Sequence, residues 1–495
     1  MTISKNQPGV VSHPFRSPRV AAATGKDGAP SNKSGKHPPG AKAPVDFASG
    51  ARGLEPPPPS ESQLVEIEKP IYGGAFLARL EGKAVFVPLT LPGEQARVRI
   101  VEERRGYATA EAEEIVAASP KRIVPACPHF GACGGCHYQH ARYEAQLAFK
   151  QTILRETLER GGVAVPVEIG MLAGEPWRYR NRIRLAFDSA GNPGYRGRRS
   201  HAVAPINECF IAAPLLLNAA KAAAEVARHF APALHLAGIS LFCDATESAL
   251  LASVSISSAA QSNPAKSRDR FDEFARAVRE RIPALKGAEL VAEGGANEQP
   301  RTIAQWGDAS LTYRAAGFDF RVDHGAFFQV NRFLVDALVE RVTASHRGKL
   351  AWDLFAGVGL FARRLTASFV RVVAVESAPA ATQALAANLK GTAGTAVRST
   401  TLDFLRSARK SRRPNPAVPD LIVVDPPRTG LGPEITGLLA EVAAPALVYA
   451  SCDPATLARD LRALTGAGYA IQSIALADLF PQTFHLETVV ELRRS

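Results

Sequence analysis

Between residues 61 and 120 apolar and polar positions alternate in short runs: LVEIEKPIY, AVFVPLTL, ARVRIVEERR and YATAEAEEIV. Gly73-Gly74, Gly82 and Pro92-Gly93 separate them. A period of two marks strands with one buried face, and Gly and Pro supply the turns, so this stretch predicts a small β-barrel of about five strands. The next region, 121–320, is mixed. AFKQTILRETLERGG, KAAAEVARHF and DEFARAVRERI carry helical spacing. RNRIRLAFD alternates as a strand and sets Arg180, Arg182 and Arg184 on one face. SSAAQSNPAKSRDR, 257–270, reads as a surface loop.

From about 325 the rhythm becomes strand, helix, strand, helix. KLAWDLFAGVG, VRVVAVESA, PDLIVVDPP and PALVYASC are apolar, β-branched runs, each followed by helical sequence. Continuous apolar strands alternating with helices predict a doubly wound, mostly parallel sheet with both faces covered. The expected fold class is therefore α/β: a Rossmann-like domain over 321–495, a mixed α+β central domain over 121–320, and an OB-like barrel over 61–120. Residues 1–60 fit none of these patterns. They hold eleven prolines and eight Lys or Arg against three acids, and such a segment buries too little apolar surface to offset its ordering entropy. A disordered basic tail is expected there.

The net charge of +12 over 495 residues makes nucleic acid the first partner to consider. No apolar run approaches the ~18 residues that span a bilayer, and the first residues lack the apolar core of a secretory signal, so a cytoplasmic monomer with no membrane partner is expected. Of the six cysteines, Cys127, Cys133 and Cys136 fall within ten positions, while Cys209, Cys243 and Cys452 stand alone. In a reducing compartment a tight cluster suggests metal binding and a lone cysteine suggests a nucleophile.

In a doubly wound sheet, ligands bind outside the carboxyl ends of the strands. Four strand ends here carry acids. Asp353 opens DLFAGVG, whose glycines let the backbone approach a ligand, although Ala362 breaks the dinucleotide G-x-G-x-x-G pattern. Glu376 ends the next strand and suits two ribose hydroxyls. Asp403 follows as a partner for an adenine amine, and Asp425 opens DPPR. Each acid taken singly reads equally as a helix cap or turn residue; their order is what an adenosine cofactor needs.

Six ordered motifs then resemble one family. FFQVN (327–331), DLFAGVGLF (353–361), VVAVE (372–376), DPPRTGL (425–431), SCDPATLARDL (451–461) and FPQTFHLETV (480–489) look like those of the RNA 5-methyluridine methyltransferases, a class I family dependent on S-adenosylmethionine. The resemblance implies cofactor contacts from Gln329, Phe355, Glu376 and Asp425. Leu360 stands where Asn is frequent, and Asp453 follows the cysteine where Asn is usual.

Carbon 5 of uracil becomes nucleophilic only after a thiolate adds to carbon 6, and a base must later remove the carbon 5 hydrogen. Cys452 suits the first role: it ends PALVYAS and precedes Pro454, a favoured first helical residue, so a helix N-terminus is expected to lower its pKa. Glu487, an acid within an apolar strand, is the candidate base, a role the family's last motif implies. Asp425 is expected to hold the uracil edge or cofactor, and Arg428 an RNA phosphate. Arg180, Arg182 and Arg184 read equally as a guide for RNA backbone and as a solvated face.

CPHFGACGGC, with Cys209 as a fourth ligand, suits either a [4Fe–4S] cluster or zinc. The resemblance to the cluster-binding branch implies iron–sulfur in a structural or RNA-positioning role. The barrel resembles the TRAM domain, and the combination looks most like the branch that modifies 23S ribosomal RNA, with transfer RNA as the alternative. An adenine-N6 enzyme would have an aromatic residue where Arg428 stands, and a cytosine-5 enzyme a cysteine after Pro426-Pro427. A noncatalytic RNA-binding protein would have no need of Cys452 or Glu487. Cys243 is expected in the core.

Overall fold

The computed structural model describes residues 62–494 apart from 166–167, 231–235, 257–263, 293–300 and 411–417. The basic segment 1–60 lies outside the described residues. Five strands close the expected barrel: β1 (Gln63–Pro70), β2 (Ala75–Leu80), β3 (Lys83–Pro88), β4 (Gln95–Glu103) and β5 (Tyr107–Ala117), in the order β1-β2-β3-β5-β4. The alternating positions Val65 and Ile67, Phe76 and Ala78, Val85 and Val87, and Ala96 and Val98 fill its interior. Closure leaves no strand edge free for unwanted pairing.

The chain leaves the barrel through the cysteine segment and enters α1 (Tyr143–Arg160), then β6 (Gly170–Leu172). The central layer is a seven-stranded sheet in the order β13-β12-β11-β10-β7-β8-β9. Its strands are β7 (Arg182–Phe187), β8 (Pro193–Arg196), β9 (Val203–Pro205), β10 (Leu236–Cys243), β11 (Leu250–Ile256), β12 (Leu285–Ala292) and β13 (Arg301–Gly307). Helices α2 (Pro214–Phe230) and α3 (Pro264–Arg281) pack on it around Leu216, Phe271 and Phe274. Of the surface loop expected over 257–270, residues 257–263 lie outside the described residues, and the rest is corrected, because α3 already begins at Pro264. Proline fits a first helical turn, and the polar KSRDR face that suggested a loop belongs to that helix.

A hairpin of β14 (Ser310–Ala315) and β15 (Phe318–Asp323) leads into the catalytic sheet. Its elements are α4 (Val335–Thr343), β16 (Gly348–Leu354), α5 (Leu360–Leu365), β17 (Phe369–Glu376), α6 (Pro379–Leu389), β18 (Gly394–Arg398), α7 (Thr401–Lys410), β19 (Leu421–Val424), α8 (Gly432–Val442), β20 (Ala446–Ser451), α9 (Pro454–Gly466), β21 (Tyr469–Ala477) and β22 (Glu487–Arg494). The order β18-β17-β16-β19-β20-β22-β21-β6 reverses direction between β16 and β19, the switch point of a doubly wound sheet. Strand residues divide alternately between two cores. Val372, Ala374, Leu421 and Val423 meet α4, α5 and α6, whereas Val373, Val375, Ile422 and Val424 meet α1, α7, α8 and α9. This double burial is why VVAV and LIVV read as unbroken apolar runs.

Two elements from outside the C-terminal region complete this sheet. β6 adds a parallel edge strand, Gly170 opposite Ala475, and α1 covers α9, so closely that a Cβ on Gly161 would sit 2.6 Å from that of Ala458. Barrel, central layer and catalytic sheet lie within one compact unit, 58–495. Among the described residues no helix is long and apolar enough to cross a membrane.

Candidate active site

Sheet register brings the two expected catalytic residues together. β20 and β22 pair antiparallel, with Ala450 opposite Val489 and Ser451 opposite Thr488. Cys452 follows the last of these pairs and Glu487 precedes it, so both lie at the same end, where the Glu487 carboxylate acts on the thiol. On the other side β19 runs parallel to β20, Val424 beside Tyr449, so Asp425 emerges at the same end. Arg428 follows within the turn, held where the Thr456 hydroxyl donates to its carbonyl (3.1 Å). Three strand ends thus converge one thiol, two carboxyls and one guanidinium.

The environment of Cys452 corrects the expectation of a lowered pKa. Burial pushes the thiol up to about 12, the Glu487 and Asp425 carboxylates add to this, Arg428 opposes it and Asp453 adds a smaller increment. Cys452 lies one residue before the cap of α9. Asp453 is the N-cap, and its Oδ1 already accepts from the amides of Ala455 (3.1 Å) and Thr456 (2.9 Å). Burial also holds Glu487, only 5% exposed, well above the usual carboxylate range, with Asp425 reinforcing and Arg428 opposing. Asp425 itself is raised by burial to about 7. Burial thus favours the uncharged form of each group, and a carboxyl with a raised pKa is the stronger base once ionised.

The adjoining strand ends form an open cradle. Phe355 adopts φ 66°, a left-handed conformation a bulky residue takes only when its surroundings impose it. Gly359, at φ 92°, is required, since a Cβ there would meet Leu385 at 2.6 Å. Glu376 accepts from the amides of Gly357 (2.9 Å) and of Ser377 and Ala378 (2.7 Å each), which ties the glycine turn to the start of α6. Asp353 is fully buried; its Oδ2 accepts from Ala362 N (2.8 Å) while Oδ1 has no partner, and burial raises its pKa to about 7. An unpaired acceptor beside a glycine turn is unused ligand-binding capacity. Gln329 is buried nearby, its carbonyl accepting from Asn181 Nδ2 (2.9 Å). Leu360 packs into the apolar core at the start of α5. Asp403 stands apart: its side chain is 65% exposed and pairs with the Thr400 hydroxyl (2.7 Å) and with Arg406 (3.8 Å) at the start of α7.

Residues 305–495 match the family model described as tRNA (Uracil-5-)-methyltransferase, and residues 60–112 match the TRAM domain. The chain is 33% identical to a 23S rRNA (uracil(1939)-C(5))-methyltransferase of Chromohalobacter salexigens, over 87% of this chain and 89% of that protein. It is 32% identical to the enzyme of the same description from Halomonas elongata, over 85% and 87%. The solved structure of Pyrococcus abyssi tRNA (uracil-54, C5)-methyltransferase in complex with S-adenosyl-L-homocysteine superposes with a TM-score of 0.66. It covers 86% of this chain and all of that one, and at 21% identity it shows a shared fold. The chain belongs to the RNA uracil-5 methyltransferase family.

In this family member Cys127, Cys133, Cys136 and Cys209 line a single pocket with Tyr195 and His129. Burial raises the thiols of Cys133 and Cys136, and proximity to Cys209 raises both further. Among the described residues no three His, Cys, Asp or Glu side chains converge closely enough to hold a single ion. Four thiols around one pocket are the donor set that either a [4Fe–4S] cluster or zinc takes. Cys243 is fully buried in the central core, as expected. The arginines of RNRIR differ from one another: Arg184 is exposed, Arg182 lies 4.4 Å over the Phe242 ring, and Arg180 lies 5.9 Å from the Phe480 ring.

Three contributors escaped the sequence reading. His485 Nδ1 lies 3.1 Å from Arg428 Nη2; arginine only donates, and burial holds this histidine neutral, so its proton sits on Nε2. Lys150, from α1, forms a fully buried pair with Asp478 (2.5 Å) just ahead of the terminal motif. Tyr72 reaches the site from the barrel. His485 stood inside the quoted FPQTFHLETV; nothing local to the other two marked them.

Proposed function

We propose that this RNA uracil-5 methyltransferase transfers the methyl group of S-adenosylmethionine to carbon 5 of a uridine in 23S rRNA, through a covalent bond between Cys452 and carbon 6. The observation that carries this reading is the meeting of strand ends that brings Cys452, Glu487, Asp425 and Arg428 to one place, close enough for the three charged groups to act on the thiol. The curated relatives named for 23S rRNA support the substrate. The TRAM barrel and the net charge of +12 suit a folded polyanion, and a ribosomal substrate implies a cytoplasmic site of action.

The Cys452 thiol gives its proton to solvent and the thiolate sulfur adds to carbon 6, moving the electron pair into the ring as an enolate. The enolate's carbon 5 takes the methyl group as the bond from that carbon to the donor's sulfonium sulfur breaks, and the electron pair stays on the sulfur of the departing thioether. Glu487 then removes the carbon 5 hydrogen, the carbon 5–carbon 6 double bond re-forms, and the cysteine sulfur leaves. The net proton passes from Glu487 to solvent. Glu376 and the Phe355–Gly359 turn would hold the adenosine, Asp353 and Gln329 the amino acid end, and Asp425 the donor or the uracil edge. The uridine must be flipped out of its stack to reach Cys452, at a cost of a few kcal/mol.

Cys127, Cys133, Cys136 and Cys209 would hold a [4Fe–4S] cluster, whose role here is to shape the fold and place RNA; no step of the methylation passes through it.

RNA containing 5-fluorouridine tests the reading, because fluorine cannot leave carbon 5 as a proton. Protein, donor and fluorinated 23S fragments should accumulate a methylated adduct on Cys452 by mass spectrometry. Fluorinated transfer RNA is the second arm, since the matching family model is described for tRNA. An adduct there alone would replace the ribosomal substrate, and no adduct on either would remove the covalent mechanism.

A further inference from the structure

The hairpin of β8 and β9 carries charges that the methylation chemistry does not use. Its tip reads Arg196-Gly-Arg198-Arg199-Ser-His201, three guanidiniums in four positions with no acid beside them. Arg196 and Arg199 are exposed and Arg198 is half-buried. Among the described residues no carboxylate forms an ion pair with any of the three. Glu111, the acid that acts on Arg198, is already bound to Arg99 at 2.9 Å. The outer arginines of the barrel differ: Arg79, Arg97, Arg99 and Arg104 each have a glutamate within 3.3 Å.

The tip is strained and the stem is fixed. Arg199 adopts φ 54°, a left-handed conformation that glycine takes freely and an arginine does not. Below it, Gly134 N donates to the Arg196 carbonyl and Arg198 N to the Ala132 carbonyl (3.1 Å each), and Cys133 bridges Gly197 between them. A Cβ on Gly134 would lie 2.8 Å from the Arg196 oxygen, so glycine lets the cysteine loop lie this close. Tyr195 lines the cysteine pocket, and Arg196 Nη1 closes the tip on the His201 carbonyl (2.7 Å).

We propose that this hairpin is a binding site for the phosphate backbone of the RNA substrate, with Arg198 and Arg199 as the phosphate contacts. This rests on RNA being the substrate and adds where the chain holds it. An unpaired surface cation attracts a polyanion, whereas the field of a paired one is largely cancelled. A guanidinium fork matches two phosphate oxygens at once. A stem already fixed by the cysteine loop leaves little to be ordered on binding. Strain at an exposed arginine without an ion pair fits a residue kept for its charge rather than for the turn it occupies. Such contacts hold the strand in register and read no bases.

The test is the salt dependence of RNA binding by the full chain carrying Arg199→Gly, Arg198→Gln or both. Arg314→Gln is the control, a 70% exposed arginine on the β14–β15 hairpin that pairs with Asp319 (2.9 Å). The Kd for a 23S fragment and for a transfer RNA is taken by fluorescence anisotropy over a salt series, without methyl donor. Each substitution should lower the slope of log Kd against log salt by about one, and the double variant by about two, on both RNAs. The double variant should bind on the order of tenfold more weakly at physiological salt. Arg314→Gln should leave the slope unchanged. Arg199→Gly should hold or raise the urea midpoint, because glycine takes this φ without strain, which separates a lost contact from lost folding. A double variant with the wild-type slope overturns the site. An equal fall for Arg314→Gln reduces it to net charge, and a loss confined to one RNA replaces backbone contact by base readout; either result overturns it as well. Binding needs neither donor nor Cys452, so these outcomes are separate from failure of the fluorouridine trap.

Discussion

Lys150 and Asp478 are both fully buried and 2.5 Å apart, with the Tyr143 hydroxyl donating to the same carboxylate (2.8 Å) and the Phe480 carbonyl accepting from the ammonium (3.0 Å). Nine residues further along, Glu487 is buried beside Asp425 with Arg428 as the cation that offsets them, and Asp353 carries an unpaired oxygen nearby. The first site matches every buried charge with a partner, which makes it scaffold: it clamps α1 to the segment that delivers Glu487. The second leaves like charges crowded and acceptors unfilled, and that unmet demand is what a substrate and a donor come to satisfy. Where burial of charge is fully compensated the molecule holds its shape; where it is not, the molecule does chemistry.

Substitutions separate the two sites most sharply by what they leave intact. Cys452→Ala should abolish methyl transfer, by about 10⁴-fold or more, with the unfolding transition in urea unmoved; activity within tenfold of wild type would dissolve the contrast. Lys150→Met should instead destabilise the catalytic unit by about 3–5 kcal/mol, because Asp478 is left buried and uncompensated. Adding Asp478→Leu should restore most of that loss in the same urea titration.

Asp425→Asn carries the opposite sign. The folded protein raises this carboxyl from its ordinary 3.8 to about 7, so it holds its proton more tightly folded than unfolded. The stability it contributes is full below about pH 4 and is lost as pH rises through 7. The asparagine variant should therefore match wild type near pH 4 and exceed it by about 1–3 kcal/mol at pH 8, while methylation falls. Equal stability at both pH values would show that Asp425 is not strained. The smallest effect belongs to Asp403→Ala. Its carboxylate serves Thr400 and Arg406 at a helix start, so the loss should be about 0.5–1 kcal/mol, with donor affinity by calorimetry unchanged.

Much of this was legible in the residue order because it is local. The barrel showed through its period of two. The doubly wound sheet showed through VVAV and LIVV, whose alternate residues feed two cores. Cys452 and Glu487 stood out by residue type and motif, yet their facing positions depend on β22 inserting between β20 and β21, which spacing does not encode. Lys150 and Asp478 are 328 positions apart, and Tyr72 packs on Phe484 from the far end of the described chain. The Pro454 helix start suggests a favourable dipole at Cys452, whereas the burial that raises its pKa, and the carboxyls from β19 and β22 that add to it, come from tertiary packing.

The most direct measurement follows the hydrogen on carbon 5. RNA carrying 5-tritiated uridine and labelled S-adenosylmethionine would be mixed with wild type and with Glu487→Gln, scoring methyl incorporation and tritium release together. Wild type should release one tritium for each methyl transferred. Glu487→Gln should incorporate a methyl group, retain the tritium, and remain bound to RNA through Cys452. Tritium release by Glu487→Gln at the wild-type rate would contradict the assignment of the base, and with it the pairing of Cys452 and Glu487 as the catalytic centre.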